Sequence, residues 1–406
     1  DQLSSLMNVQ VQMRSNGGVT IRSTEGYELA GDGAATLSYN GTSSTKAYVA
    51  IQPAGGGPAE PITIAGGELR GLMDLRDTTL PGMSDQLGAF ASQVADQINA
   101  AHNASASVPP PATLTGRNTG LDLPTAVSNF SGTSTIAIAD ASGVVQKTVA
   151  IDFTAGTMSV NGGPGSAFTP ANFLASLNTA LGGSGSASFT NGALTLNATA
   201  PNSLAIDEGT SQKAGRAFSA FFGLNDLVKA SGFTNYNTGL TTADPHGFTA
   251  GDTIKFQVSQ SDGRPIREVT VTVPAATTMQ DLLNSLNSNT NGVGLYGAFS
   301  LDANGKLAFT ANPSIGATLS VTGDTTARGV NGPSMSALFG LGVQQRSNRA
   351  NLLAVDPALL ADPTKVSLNK LDLTVAAGSP AIRPGDGKGA LAIAAAGCGL
   401  AQGKAV

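Results

Sequence analysis

Gly385-Asp386-Gly387-Lys388-Gly389 is the stretch of this 406-residue sequence that most invites a chemical reading, because a glycine-rich turn ahead of a helix can cradle phosphate. A Walker loop runs glycine, four residues, then Gly-Lys-Ser/Thr. Here Ile382 stands where the first glycine belongs, and Gly389 replaces the hydroxyl that would hold magnesium. The stretch therefore reads as a turn entering a helix at Ala390. Asp302-Ala303-Asn304-Gly305-Lys306 resembles a calcium loop but lacks the third oxygen ligand and the distal glutamate. Asn-Gly between alternating strands needs only a type I′ hairpin to explain it. His102 and His246 are far apart, and neither has a Cys or His at the spacing of a zinc site. His102 reads as a helix C-terminal residue facing the dipole, and His246 as a solvated loop residue. Cys398 has no basic neighbour to make it a nucleophile. No catalytic, cofactor-binding or metal-binding residue is assigned, and an enzyme is not expected. Arg70, Asp74, Arg76 and Asp77 form a charged group at helical spacing. Either they line a solvated face, where an i,i+4 pair contributes about 0.3–0.5 kcal/mol, or they touch a neighbouring subunit.

Composition narrows the class. Charged residues are 12% against about 25% in ordinary domains, and aromatics are 5% with no Trp. Net charge is −5, and no Lys/Arg cluster offers the basic stripe that nucleic acid requires. Sugar sites usually present aromatic platforms, which the missing Trp argues against. The small-apolar run 390–401 is too short and too broken by glycine to span a bilayer. One cysteine excludes an intramolecular disulfide, which suits a chain exported unfolded. No secretory signal is visible, and both ends read as cut elements, so a fragment of a longer protein is expected. At 406 residues, two or three cores are expected.

The element that organises the chain is the helical stretch 66–103. Leu80, Met83, Leu87, Phe90, Val94 and Ile98 recur at steps of three and four, a narrow seam on one helix face. The opposite face carries Ser84, Gln86, Gln93, Asp96, Gln97 and Asn99. The seam predicts burial against the hairpin 9–21 and the segment near Leu391. Pro81 predicts a bend, or a restart capped by Ser84.

The same stretch carries a resemblance. Gly66-Gly67-Glu68-Leu69-Arg70-Gly71-Leu72, Asp74-Leu75-Arg76-Asp77, then Leu87, Ala91, Val94, Ala95 and Ile98-Asn99-Ala100-Ala101-His102 resemble the signature of the flagellar hook-associated protein 1 family, the hook–filament junction proteins. The resemblance implies a non-enzymatic subunit of a tubular bacterial assembly, exported by the type III route without a cleaved signal peptide and placed outside the cell. It implies as partners copies of itself, the hook protein and the next hook-associated protein, with no cofactor, nucleic acid, membrane or small-molecule substrate. The family's terminal helices are not found in the sequence, so the polypeptide alone is expected to be monomeric. The alternatives are another axial flagellar protein, such as a filament cap or a flagellin, and a β-rich surface adhesin.

Taken in order, residues 9–13 and 19–22 flank Asn16-Gly17 as a hairpin, with short strands at 27–30, 47–52 and 61–65. Pro109-Pro110-Pro111 ends the helical region. Beyond it an internal repeat appears, in which strand 135–138 matches 253–256. Each is followed by a second strand, a short helix, an Asn-Gly hairpin and a Phe-Gly-Leu-like close. A further strand is expected at 371–375. The expected fold is α+β multidomain: an inner helical domain with a β-hairpin and long helix, plus two β-rich outer modules of ββαββ type. The boundaries are 1–107, 108–232, 233–345, and a return segment 346–406.

Overall fold

The computed structural model describes residues 2–401, and the fold is α+β with several small sheets. A short helix α1 (Gln2–Leu6) precedes β1 (Val9–Met13) and β2 (Val19–Ser23), which pair antiparallel around the Asn16-Gly17 turn, Gly17 at φ +83°. β3 (Glu28–Ala30) completes that sheet, and β4 (Thr36–Asn40), β5 (Tyr48–Gln52) and β6 (Glu60–Ile62) form a second. β4 is absent from the sequence reading because its Leu37 and Tyr39 are exposed and mark no core. Met7, Leu29, Val49, Ile51, Ile62, Ile64 and Met73 fill the interior of this small β-region.

Met73 comes from α2 (Glu68–Asp74), which runs through a π-helical turn (Leu75–Thr79) into α3 (Leu80–Asn103). The residues at both junctions keep right-handed helical backbone, so the helix neither breaks nor restarts at Ser84. The wide turn ahead of Pro81 takes up the place where proline supplies no amide hydrogen.

The outer body follows. Its first half contains β7 (Thr113–Thr115), α4 (Leu123–Val127), β8 (Thr133–Ala139), β9 (Val145–Asp152), β10 (Thr157–Val160), β11 (Ser166–Ala167), α5 (Phe173–Leu181), β12 (Gly185–Thr190), β13 (Ala193–Ala198), β14 (Ser203–Asp207) and α6 (Phe218–Phe222). After β15 (Val228–Ala230) the second half has β16 (Thr253–Ser259), β17 (Pro265–Thr272), α7 (Met279–Leu286), β18 (Gly297–Leu301), β19 (Leu307–Ala311), β20 (Thr318–Asp324) and α8 (Met335–Phe339). The sheets run β11-β10-β9-β8-β14 and β17-β16-β20, so β8 and β16 each lie between a hairpin partner and a later strand.

Side chains repeat along with the backbone. The Thr133 and Thr253 amides donate to Thr210 Oγ1 and Thr325 Oγ1 at 3.1 and 3.0 Å. Asn178 clamps α5 to both backbone groups of Ala187, as Asn287 clamps α7 to Phe299. α6 and α8 both end in a left-handed glycine, Gly223 and Gly340. The two halves do not keep separate interiors. Their buried residues form one cluster, from Leu114 through Phe130 and Phe222 to Phe256, Met335 and Leu341.

The chain then returns through α9 (Val343–Ser347), β21 (Leu353–Val355) paired with β15, α10 (Pro357–Ala361), and α11 (Lys388–Ala401), which lies along α3. The strand expected at 371–375 is a turn instead, because the Asp372 carboxylate accepts bonds from the amide and hydroxyl of Thr374.

Candidate functional site

The charged group at the start of the long helix divides in two. Arg70 Nε donates to Asp74 Oδ2 at 2.9 Å, an i,i+4 pair on the surface. Arg76 and Asp77 turn inward instead. The Arg76 guanidinium lies 2.6 Å from Asp77, donates to the Thr42 carbonyl and stands 5.8 Å from the Tyr39 ring. Asp77 Oδ2 accepts the Ala47 amide at 2.8 Å. These two residues therefore staple the π-turn to the β4–β5 connection within the chain.

The apolar seam faces away from the chain's own core, which corrects the expected burial. Leu80, Met83, Leu87 and Phe90 are 52%, 62%, 62% and 54% exposed, while Val94 and Ile98 are half-buried. Leu391, expected to cover the seam, is itself exposed. The buried face of α3 is made of Gly88, Ser92, Ala95, Asn99, His102 and Asn103. Small side chains win there because backbone comes so close. A Cβ on Gly88 would lie 2.9 Å from the Arg346 carbonyl oxygen, so a leucine could not occupy that face.

Further along that face a buried polar network binds α3 to the outer body. Asn99 exchanges both of its amide groups with the backbone of Val228, at 2.7 and 2.8 Å. Asn103 accepts from the Ser219 hydroxyl and the Asn225 amide, and donates to the Asn99 carbonyl and Asp226. Burial pushes the Asp226 carboxyl up, and Arg117 at 3.0 Å opposes the shift. His102 is fully buried. Its Nε2 accepts the Ser367 amide, so Nδ1–H donates to the Asn225 carbonyl at 2.6 Å and the ring is neutral. Burial holds its pKa below the usual 6.5. The dipole-facing role expected of His102 is thus replaced by a fixed bridge between three segments.

His246 is also buried, not solvated as expected. It accepts the Phe248 amide at Nδ1 and donates from Nε2 to the Ala276 carbonyl. Arg328 donates to the carbonyls of Gly120, Pro245 and His246 and pairs with Asp122, tying the two halves together. Lys213 donates to the Thr125 and Ala126 carbonyls near the end of α4, and burial lowers it to about 7. Glu208 accepts the Ser219 and Ala220 amides of α6, yet burial pushes it up to about 7.

The motifs that invited chemistry are occupied locally. Asp386 accepts the Lys370 amide and faces Lys388 at 3.7 Å. Asp302 accepts the amides of Asn304 and Lys306 inside its hairpin, where Gly305 has positive φ and Asn304 does not, so the turn is not the expected type I′. The Cys398 side chain lies outside the described residues. Among the described residues, three or more His, Cys, Asp or Glu side chains do not gather as a metal site, and no helix is long and apolar enough to cross a membrane.

Residues 1–121 match the family model described as flagellar hook-associated protein FlgK helical domain. No curated protein matches the sequence. Among solved structures, the flagellar hook junction protein FlgK from Burkholderia pseudomallei aligns with 99% of this chain and 72% of its own, at 17% identity and a TM-score of 0.24.

Proposed function

With a helical domain of the flagellar hook-associated FlgK type spanning residues 1–121, we propose that this chain is a structural subunit joining the hook of the bacterial flagellum to its filament. That match is the observation that carries the reading. The exposed row Leu80, Met83, Leu87 and Phe90 supplies a packing face, since large apolar side chains aligned on one helix are costly to leave in water. Spacing of three and four residues suits a partner helix seated along the row. The Arg70–Asp74 pair lies earlier on the same helical run and would set the register of such a contact. In this reading the work is mechanical, the site is outside the cell, and the partners are further copies, the hook protein and the next hook-associated protein.

The test uses a flagellated strain lacking the full-length protein. Electron microscopy should show hooks without attached filaments, and motility should return with the parent gene. A gene carrying Leu87→Asp and Phe90→Asp should not restore it. Normal filaments in the deletion strain would overturn the assignment.

A further inference from the structure

Besides the long helix, the small β-region meets the rest of the chain at the β16–β17 turn and at the exposed Ser43, whose hydroxyl accepts from Gln344 Nε2 at 2.7 Å. Gly263, at φ +95°, packs so close to Ala47 that a Cβ there would come within 2.2 Å of the Ala47 carbonyl oxygen. Next to it Arg264 Nη1 donates to Glu25 Oε1 at 3.3 Å, and Lys46 Nζ donates to the Ser261 carbonyl at 3.1 Å. Both sides of this contact are shaped for it. Asp262 and Gln260 hold the other guanidinium nitrogens of Arg264 at 2.9 and 2.7 Å. Glu25 is held by the amide and hydroxyl of Thr63.

The equivalent turn of the first half, β8–β9, also rests on a carbonyl through its glycine. A Cβ on Gly143 would lie 2.3 Å from the Ile382 oxygen. The two contacts differ in strength. Gly143 accepts the Ala381 amide at 2.8 Å, and Ile382 is fully buried with Ala106, Ala139 and Ala205. The Gly263 contact leans on Arg264 and Glu25, whose side chains stay 28% and 30% exposed, and such pairs are weak and screened by salt. One turn is fixed and the other is releasable.

The covalent connection on the releasable side is the π-turn and Pro81, where the helix lacks a hydrogen bond it would otherwise make. The small β-region also has its own apolar interior, separate from that of the outer body. We propose that the small β-region swings on the π-turn–Pro81 hinge, and that the Gly263–Arg264 turn is the latch holding it against the outer body. The proposal concerns the chain alone and stands apart from the junction assignment.

Pulsed electron resonance on the full chain tests it. Spin labels go on Asn16→Cys and Val330→Cys, both exposed, in a Cys398→Ser background. The parent should give one narrow distance distribution. Arg264→Ala should broaden it and add longer distances with thermal melting of the outer body unchanged, and Gly263→Val should do the same while lowering that melting, since valine is strained at φ +95° in the β16–β17 turn. Distributions identical to the parent in both variants would overturn the latch. Should Gly263→Val fail to fold, Arg264→Ala decides alone, because its side chain is partly exposed and leaves no buried group unpaired.

Discussion

His102 and Glu208 give the stability of this protein opposite dependences on pH. The Glu208 carboxyl is pushed up to about 7 by burial, from an ordinary 4.5. An acid that binds its proton more tightly in the fold contributes stability below its unfolded pKa and loses it as pH rises through the folded one. The slope is at most about 1.4 kcal/mol per pH unit. His102 and His246 are lowered from 6.5 by burial, so the unfolded chain takes up the proton first and stability falls as pH drops below 6.5. Glu208→Gln removes only the first dependence. Urea midpoints measured from about pH 5 to pH 8 should rise for the variant relative to the parent as pH increases, and parallel curves would contradict the assignment. Asn103 makes a stronger case on the same network, since all four of its amide bonds are used within the chain. Asn103→Ala should cost roughly 3 kcal/mol or more in chemical denaturation, because buried Asp226 loses a donor and two further groups lose an acceptor. A loss below about 1 kcal/mol would mean that the network does not hold α3 to the outer body.

At the scale of elements, the shared order of strands and helix in the two halves was legible and the facing of α3 was not. That order announces itself through Asn191-Gly192 and Asn304-Gly305, whose glycines both take positive φ, and through the helices between the strands. The long helix was legible in its extent and period, but period alone does not say which face meets the chain's own core. Six apolar residues suggested the obvious face, while the buried one is written in Gly88, Ser92, Ala95, Asn99 and Asn103, at the same steps of three and four. That second pattern is readable as close backbone approach combined with amide bonds to connecting segments, yet hydrophobicity does not mark it. The consequence is a reversed mutational ranking. Leu87→Ala and Phe90→Ala should change the thermal stability of the isolated chain by no more than about 0.5 kcal/mol, as surface substitutions do. Gly88→Val should cost about 2 kcal/mol or more, since its first carbon already meets Arg346 and Arg349. Equal effects at the two faces would return the seam to the interior.

Seen whole, the molecule puts its stability and its adhesion in different places. Burial is concentrated in the continuous interior of the outer body, while the exposed large apolar side chains on the helical run, Leu72, Leu75, Leu80, Met83, Leu87 and Phe90, form a strip one helix wide. A stable interface of standard size buries about 800 Å² on each partner. A strip of six side chains, already about half covered by their own helix, falls short of that on its own. Association must also offset the lost translational freedom, and the polar turns of the outer body add little against that cost. In the proposed junction role, the hook, the filament and neighbouring subunits would supply the rest of the contact area. The isolated chain should therefore sediment as a monomer at low micromolar concentration, and remain one when Leu87 and Phe90 are changed to Asp. A stable ring or tube formed by this chain alone would show instead that the outer body drives assembly, and that the strip on the long helix is secondary to it.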